Sequence, residues 1–110
     1  MLIKDIQEIL DDIKSLEQKC QKIDSNLRVF VNHGNEIDDD DIFVQIEINE
    51  HKNHEDIEIF TIDIYQDYGA IQAGYFYQYE RELPRFIKLV QLAHSFINSE
   101  LDLIQRIMEE

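Results

Sequence analysis

The stretch "IFVQIEIN", residues 42–49, decides the fold, because apolar and polar side chains alternate along most of it. A period of two is typical of a β-strand that buries one face and leaves the other in contact with water. The strand has an apolar set of residues on one face and a more polar set on the other: Ile42, Val44, Ile46 and Ile48 against Phe43, Gln45, Glu47 and Asn49.

Three more segments with this period surround the strand, and short polar turns separate them. Parallel neighbours need a crossover of about a dozen residues, and no helical segment lies between these strands. The four strands are therefore predicted to form an antiparallel meander over residues 27–79. The other three read "LRVFVN" from residue 27, "DIEIFTIDIY" from residue 56 and "AIQAGYFYQY" from residue 70.

The alternation slips inside the third strand. Ile57 and Ile59 are in one phase, whereas Phe60, Ile62 and Ile64 are in the other. A β-bulge near Ile59 would produce such a slip, and so would a strand that is buried on both faces. Of these two interpretations we favour the bulge.

Two amphipathic helices enclose the meander. Apolar side chains recur at spacings of four and three over residues 1–26, which predicts a helix that the segment 24–26 ends. Pro84 suits the first turn of a second helix, residues 83–109. The apolar seam of the first helix consists of Leu2, Ile6, Ile9, Ile13, Leu16, Cys20 and Ile23, and Ile3 and Leu10 widen it.

These elements predict a single α+β domain over residues 1–110, with both helices packed on one face of the sheet. The seam of the first helix has an alternative use, in which it stays exposed in the monomer and packs against a second chain as a homodimer. Cys20 lies on that seam and is interpreted as a small apolar core residue rather than a reactive thiol.

The net charge of −14 is concentrated in the meander. Residues 33–67 contain twelve acidic residues and one basic residue, Lys52, and therefore carry −11. Direct binding to nucleic acid or to an anionic membrane is electrostatically opposed, so a basic protein is the expected partner. No segment has the pattern of a secretory leader or a membrane span, and a cytoplasmic location is expected.

The expected binding surface combines these acids with aromatic side chains. Phe30, Phe43, Tyr65 and Phe76 fall on the outer face of the predicted sheet, and exposed aromatic residues are enriched where proteins bind proteins. The opposing interpretation is a solvated acidic surface that discourages aggregation. The partner-binding residues of the first interpretation are Glu36, Asp38, Asp39, Asp40, Asp41, Phe43, Glu47, Glu58, Asp63, Tyr65 and Asp67.

The sequence has no motif for catalysis or for a metal site. It lacks a Gly-rich phosphate loop, and its row of aspartates lacks the central Gly and the terminal Glu of a calcium loop. His33, His51 and His54 have no cysteine partners for zinc. We therefore expect no enzyme activity, no cofactor and no metal.

The composition is rich in Ile and Asp, has six Asn and six Lys and lacks Trp, which favours an AT-rich gene such as those of low-GC bacteria, their phages and plasmids. The sequence therefore predicts a small acidic protein-binding module that blocks a basic nucleic-acid-binding protein, such as a nucleic-acid enzyme, as a DNA mimic or an immunity-type inhibitor. The alternative is a non-catalytic structural or adaptor protein that forms a homodimer through its amphipathic helices.

Overall fold

The computed structural model describes residues 3–37, 39–73 and 83–109. Within these ranges the order of elements is helix, four strands, helix, which confirms the prediction. The predicted residues 74–79 of the meander lie outside the described residues, as do Leu2, Asp38 and Phe76. The elements are α1 (Ile3–Ile23), β1 (Leu27–Val31), a 3-10 turn (Gly34–Glu36), β2 (Val44–Lys52), β3 (Glu55–Ile64), β4 (Gly69–Ala73) and α2 (Leu83–Glu109).

The four strands form one antiparallel sheet in the order β1-β2-β3-β4, so the predicted meander is confirmed. Asn53 and His54 connect β2 to β3 and have φ angles of 54° and 65°. Two consecutive residues with positive φ are characteristic of the type I′ turn, whose twist matches that of the strands it joins.

The slip of phase in β3 is a β-bulge. Ile48 pairs with Phe60, but Asn49 pairs with Glu58, so Ile59 is the extra residue of the ladder. Ile59 and Phe60 are both fully buried, because the extra residue lets two consecutive side chains enter the core. The bulge predicted near Ile59 is therefore confirmed.

One apolar core fills the space between the sheet and the two helices. α2 crosses β4 at Gly69, where an added Cβ atom would lie 2.5 Å from Cγ2 of Ile97. Phe60 meets Phe86 edge to face, with 6.3 Å between ring centroids. The buried apolar residues are Ile9, Ile13, Leu16, Cys20, Leu27, Ile46, Ile48, Ile59, Phe60, Ile62, Ile64, Leu89, Ala93, Phe96, Ile97, Leu103 and Ile104.

The end of α1 follows from the side chain of Asp24. The Asp24 N–H still donates to the carbonyl of Cys20 at 3.0 Å, but the Asn26 N–H donates to Asp24 Oδ1 at 2.9 Å. The Leu27 N–H then donates to the Asp24 carbonyl at 3.1 Å. The short polar side chain thus competes for the backbone and turns the chain into β1, as the sequence predicts.

Side chains of α1 cover part of the free edge of β1. The Val29 N–H donates to Glu17 Oε2 at 2.9 Å, and Gln21 Nε2 donates to the Leu27 carbonyl at 3.2 Å. An edge strand with open backbone groups invites pairing with another chain, so these contacts make the edge less available.

From Ile9 to Cys20 the apolar seam of α1 is buried inside the monomer. Ile9, Ile13 and Leu16 are at most 6% exposed, and Cys20 is fully buried. This part of the seam is covered by the protein's own core and does not stay exposed in the monomer, whereas assembly of the chain into a homodimer stays a prediction. Ile23 is half-buried at the end of the seam.

The first turns of α1 depart from the predicted core. Ile6 is 47% exposed and Leu10 is 45% exposed. Both side chains border the loop after β1 instead of entering the space under the sheet. The prediction that Leu10 belongs to the interior is therefore wrong.

Arg85, at the start of α2, connects three elements of the fold. Its guanidinium binds Asp24 at the end of α1 and Glu50 Oε2 of β2, the latter at 3.3 Å. The three side chains are only 15–25% exposed.

Neither helix, over its described residues, has an apolar stretch long enough to cross a membrane.

Candidate protein-binding site

The acidic loop between β1 and β2 is organised by Asp39. Its Oδ1 accepts a hydrogen bond from the Asp41 N–H at 2.9 Å, and its carbonyl accepts one from the Ile42 N–H at 3.1 Å. Aspartate forms such turns readily because its short side chain reaches the backbone two residues on. Asp40 and Asp41 are exposed.

The turn between β3 and β4 lies beside this loop. The Phe43 N–H donates to the Ile64 carbonyl at 2.7 Å, which brings the end of the acidic loop next to the end of β3. Tyr65 and Tyr68 stack with 4.3 Å between ring centroids, and the Tyr65 N–H donates to the Tyr68 carbonyl at 2.8 Å. The Tyr65 hydroxyl donates to Asp39 Oδ2 at 3.4 Å, so the two segments contact each other through side chains as well.

Together the two segments form a depression of about 330 Å³, which we call the acidic depression. Three acidic and three aromatic residues line it. A lysine or arginine side chain is the group that such a lining suits, because carboxylates pair with its charge and aromatic faces attract cations. The acidic depression is lined by Asp40, Asp41, Phe43, Tyr65, Gln66, Asp67 and Tyr68.

No cation of the described chain neutralises these carboxylates. The ion pairs within the described residues join His51 to Asp56, Arg85 to Asp24 and Glu50, and Arg106 to Glu8. Burial and the nearby Asp39 carboxylate raise the pKa of Tyr65 to about 12, so its hydroxyl keeps the proton that it donates. The acidic depression is therefore negative at neutral pH.

A second group of predicted residues lies elsewhere, on the outer face of the sheet. Phe30 pairs with Glu47 across β1 and β2, and Glu58 pairs with Asn49 across β2 and β3. Partial burial, together with the charge of Glu47, raises the pKa of Glu58. Phe30, Glu47 and Glu58 do not line the acidic depression.

Asp63 does not belong to either surface. It is 1% exposed, and its Oδ1 accepts a hydrogen bond from Gln45 Nε2 at 2.8 Å. Gln45 Oε1 in turn accepts one from Asn32 Nδ2 at 2.7 Å. The expectation that Asp63 faces solvent is therefore wrong, because a ladder of polar side chains across three neighbouring segments occupies its carboxylate.

Of the remaining predicted residues, Asp39 serves the turn and Asp67 is exposed in the acidic depression. Asp38 and the side chain of Glu36 lie outside the described part of the chain. Tyr68 is the residue that the sequence analysis missed. The sequence feature that could have identified Tyr68 is the presence of a second tyrosine three residues after Tyr65 in a tight turn. At this spacing two rings can stack.

Cys20 lies in the core, whereas the histidines are exposed. Burial raises the pKa of Cys20 to about 12, so the side chain remains a thiol in the core, as predicted. His51 Nδ1 lies 3.0 Å from Asp56 Oδ1 at the exposed tip of the β2-β3 hairpin. No group of three or more potential metal ligands comes together among the described residues.

Glu100 is a buried acid that the sequence analysis also missed. It is 1% exposed, and neither of its carboxyl oxygens has a hydrogen-bond partner among the described residues. Burial, together with the neighbouring acids Asp12 and Glu8, raises its pKa to about 9. The sequence feature that could have identified it is its helical spacing. Glu100 lies three residues after Ile97 and four before Ile104, which places it on the apolar stripe of α2.

Comparison with known proteins found no match to any family model, and no significant similarity to a curated protein or to a solved structure.

Proposed function

We propose that the protein is a small, non-catalytic, acidic binding module of the cytoplasm that blocks a basic nucleic-acid-binding protein. The observation that carries this proposal is the acidic depression, where three exposed carboxylates and three aromatic rings surround a space with no cation of the described chain in it. A site of this kind is complementary to the Lys and Arg side chains with which nucleic-acid-binding proteins contact phosphates.

The acids and the aromatic rings have different roles in the proposed complex. Asp40, Asp41 and Asp67 attract the basic partner over distances of about a Debye length, which is roughly 8 Å at physiological salt. Phe43 and the stacked pair Tyr65 and Tyr68 then lose contact with water when a partner side chain enters, which slows dissociation. The net charge of −14 also opposes binding of the module to nucleic acid itself, so it competes for the protein rather than for the DNA or RNA.

The test is affinity capture with two variants that change the charge equally. The first replaces Asp40, Asp41 and Asp67 with Asn, and Asp39 is left intact because it forms the turn. The control replaces three exposed acids outside the acidic depression: Glu55→Gln, Asp102→Asn and Glu109→Gln. Each protein is immobilised and exposed to a nuclease-treated lysate of a low-GC bacterium.

We expect the wild type and the control to retain the same basic protein, and the Asn variant to lose it. Retained protein should be released by added salt, and the wild type should displace it from labelled DNA or RNA in a competition assay. If the control loses binding as completely as the Asn variant, net charge alone acts and the proposed site is wrong. If the captured protein still binds its nucleic acid in the presence of the module, the proposed inhibition is wrong.

A further inference from the structure

An apolar groove lies next to the acidic depression, between α1 and the loop that follows β1. Its volume is about 300 Å³. Ile6 and Leu10 form its α1 side, while Ile37 and Val44 belong to the loop and to the start of β2. Ile6, Leu10 and Phe43 are each 45–47% exposed, which makes the groove an apolar surface in contact with water.

Phe43 joins the groove to the acidic depression, because its side chain lines both. An occupant of one site therefore lies against the same ring as an occupant of the other. The two sites form one continuous surface in which an apolar part adjoins a negatively charged part. Interfaces with an apolar anchor beside charged residues are the kind in which a few side chains carry most of the affinity.

The charge of the surface identifies the occupant. A second copy of this chain is disfavoured, since each copy carries a charge of −14 and an acidic loop beside the groove. A basic polypeptide segment is complementary to Asp40 and Asp41, and a bulky apolar side chain within it would fill the groove. An anionic lipid surface or a nucleic acid would be repelled.

We propose that the groove is the anchor site for a bulky apolar side chain of the basic partner, flanked in the partner by the Lys or Arg that enters the acidic depression. This inference rests on the proposed function and adds a requirement to it: the partner is recognised by an apolar residue next to basic ones, and not by charge alone. Ile6 and Leu10 determine the apolar part of this specificity.

Two synthetic peptides test the inference. Both carry a fluorescent label and several Arg and Lys residues, and they differ only at the centre, where one has Leu and the other Ser. Binding to the wild type is measured by fluorescence anisotropy at low salt. We expect the Leu peptide to bind about tenfold more tightly than the Ser peptide, as is typical when one apolar side chain is buried.

A matched pair of variants locates the anchor. Ile6 and Ile87 are both isoleucines on helices, and each is 47% exposed, but Ile87 does not line the groove. Ile6→Gln should reduce the advantage of the Leu peptide to about twofold or less, whereas Ile87→Gln should leave it unchanged. Leu10→Gln is the second variant, and circular dichroism verifies that all three fold.

The outcomes separate the inference from the function on which it rests. If both peptides bind equally and both lose affinity in the Asp40 and Asp41→Asn variant, the groove is not an anchor site but the acidic surface remains. If the Leu peptide keeps its advantage in Ile6→Gln and Leu10→Gln, the anchor lies elsewhere and the inference is wrong. If neither peptide binds, both the inference and the proposed charge recognition are overturned.

Discussion

Acidic side chains occupy two contrasting environments in this protein. Near the helices, Asp24 and Glu50 share the guanidinium of Arg85, Glu17 accepts the Val29 N–H, and Glu100 keeps its proton. In the acidic depression, Asp40, Asp41 and Asp67 are exposed and make no ion pair within the described residues. We call the first four the helix-side acids and the other three the depression acids.

The contrast shows what folding requires of each group. A charge near the core must be paired, hydrogen-bonded or neutralised, since burial of an isolated charge is costly. A charge in water has no such requirement. The depression acids therefore contribute little to the stability of the fold, which leaves them available for the binding role proposed above.

The largest expected effect on the free energy of unfolding comes from removal of Arg85, the cation that two of the helix-side acids share. Arg85→Met removes the guanidinium that the partly buried Asp24 and Glu50 share, which should lower the free energy of unfolding by about 3 kcal/mol. Arg106→Met is the matched control on the same helix, because Arg106 and its partner Glu8 are 65% and 48% exposed. It should cost about 1 kcal/mol or less. Urea denaturation followed by circular dichroism measures both, and equal losses would contradict the distinction.

Glu100→Gln should have the next largest effect on the free energy of unfolding, and it should raise that free energy instead of lowering it. The pKa of Glu100 is raised from 4.5 to about 9, so between these values the folded protein holds a proton that the unfolded chain releases. Stability therefore falls as pH rises through this window, by about 1.4 kcal/mol per pH unit at most, and the dependence ends above pH 9. The variant should lose this part of the slope and be more stable at pH 7 by roughly 2 kcal/mol.

The groups facing Glu100 from α1 are Asp12 and Glu8, and Arg106 of α2 pairs with Glu8. Glu109→Gln, an exposed position of the same helix, is the control and should leave the slope intact. Urea denaturation at several pH values between 5 and 9 measures the slope. A slope that is equal in the wild type and in Glu100→Gln would show that the carboxyl is ionised in the folded state.

Glu17→Ala should have a smaller effect. The change removes the acceptor of the Val29 N–H on the edge of β1, which should cost about 1 kcal/mol. Gln18→Ala, at the neighbouring exposed position of α1, should change the free energy of unfolding by no more than about 0.5 kcal/mol. Amide hydrogen exchange at Val29 gives a direct readout, since it should accelerate in Glu17→Ala alone. Unchanged exchange would mean that the carboxylate does not protect this edge.

The smallest effect on stability is expected for the depression acids. The double change Asp40→Asn and Asp41→Asn should alter the free energy of unfolding by less than about 0.5 kcal/mol. Any change should be a gain at low salt that fades at high salt, because the change relieves repulsion between neighbouring carboxylates. Denaturation at two salt concentrations measures this. A loss of more than about 1 kcal/mol would mean that these two acids stabilise the fold, in contrast to the expected outcome.

The fold was predictable because its signals are local. The period of two in each strand, the spacing of four and three in each helix and the shortness of the loops together leave the meander as the simplest arrangement. Even the bulge is visible in the sequence, since Ile59 and Phe60 are adjacent apolar residues that interrupt the alternation. These features depend on neighbours in the chain and need no knowledge of distant contacts.

The site was only partly predictable because it depends on contacts between distant segments. That Asp40 and Phe43 lie near Tyr65 follows from the pairing of β2 with β3, but the stacking of Tyr68 on Tyr65 depends on the exact turn. Burial of Asp63 depends on Gln45, which lies on another strand. A periodic pattern assigns a residue to a face, but it does not say how far the opposing layer extends, and so it placed Leu10 in the core.

The bulge at Ile59 also limits how the β2-β3 hairpin can misfold. A regular strand can slide along its neighbour by two residues and keep every side chain on its own face. Because Ile59 is passed over between Ile48 and Asn49, a ladder slid by two residues would have to place the bulge opposite a different pair of β2 residues. The bulge therefore distinguishes the native register from a slid one, because it occurs at one defined place between β2 and β3.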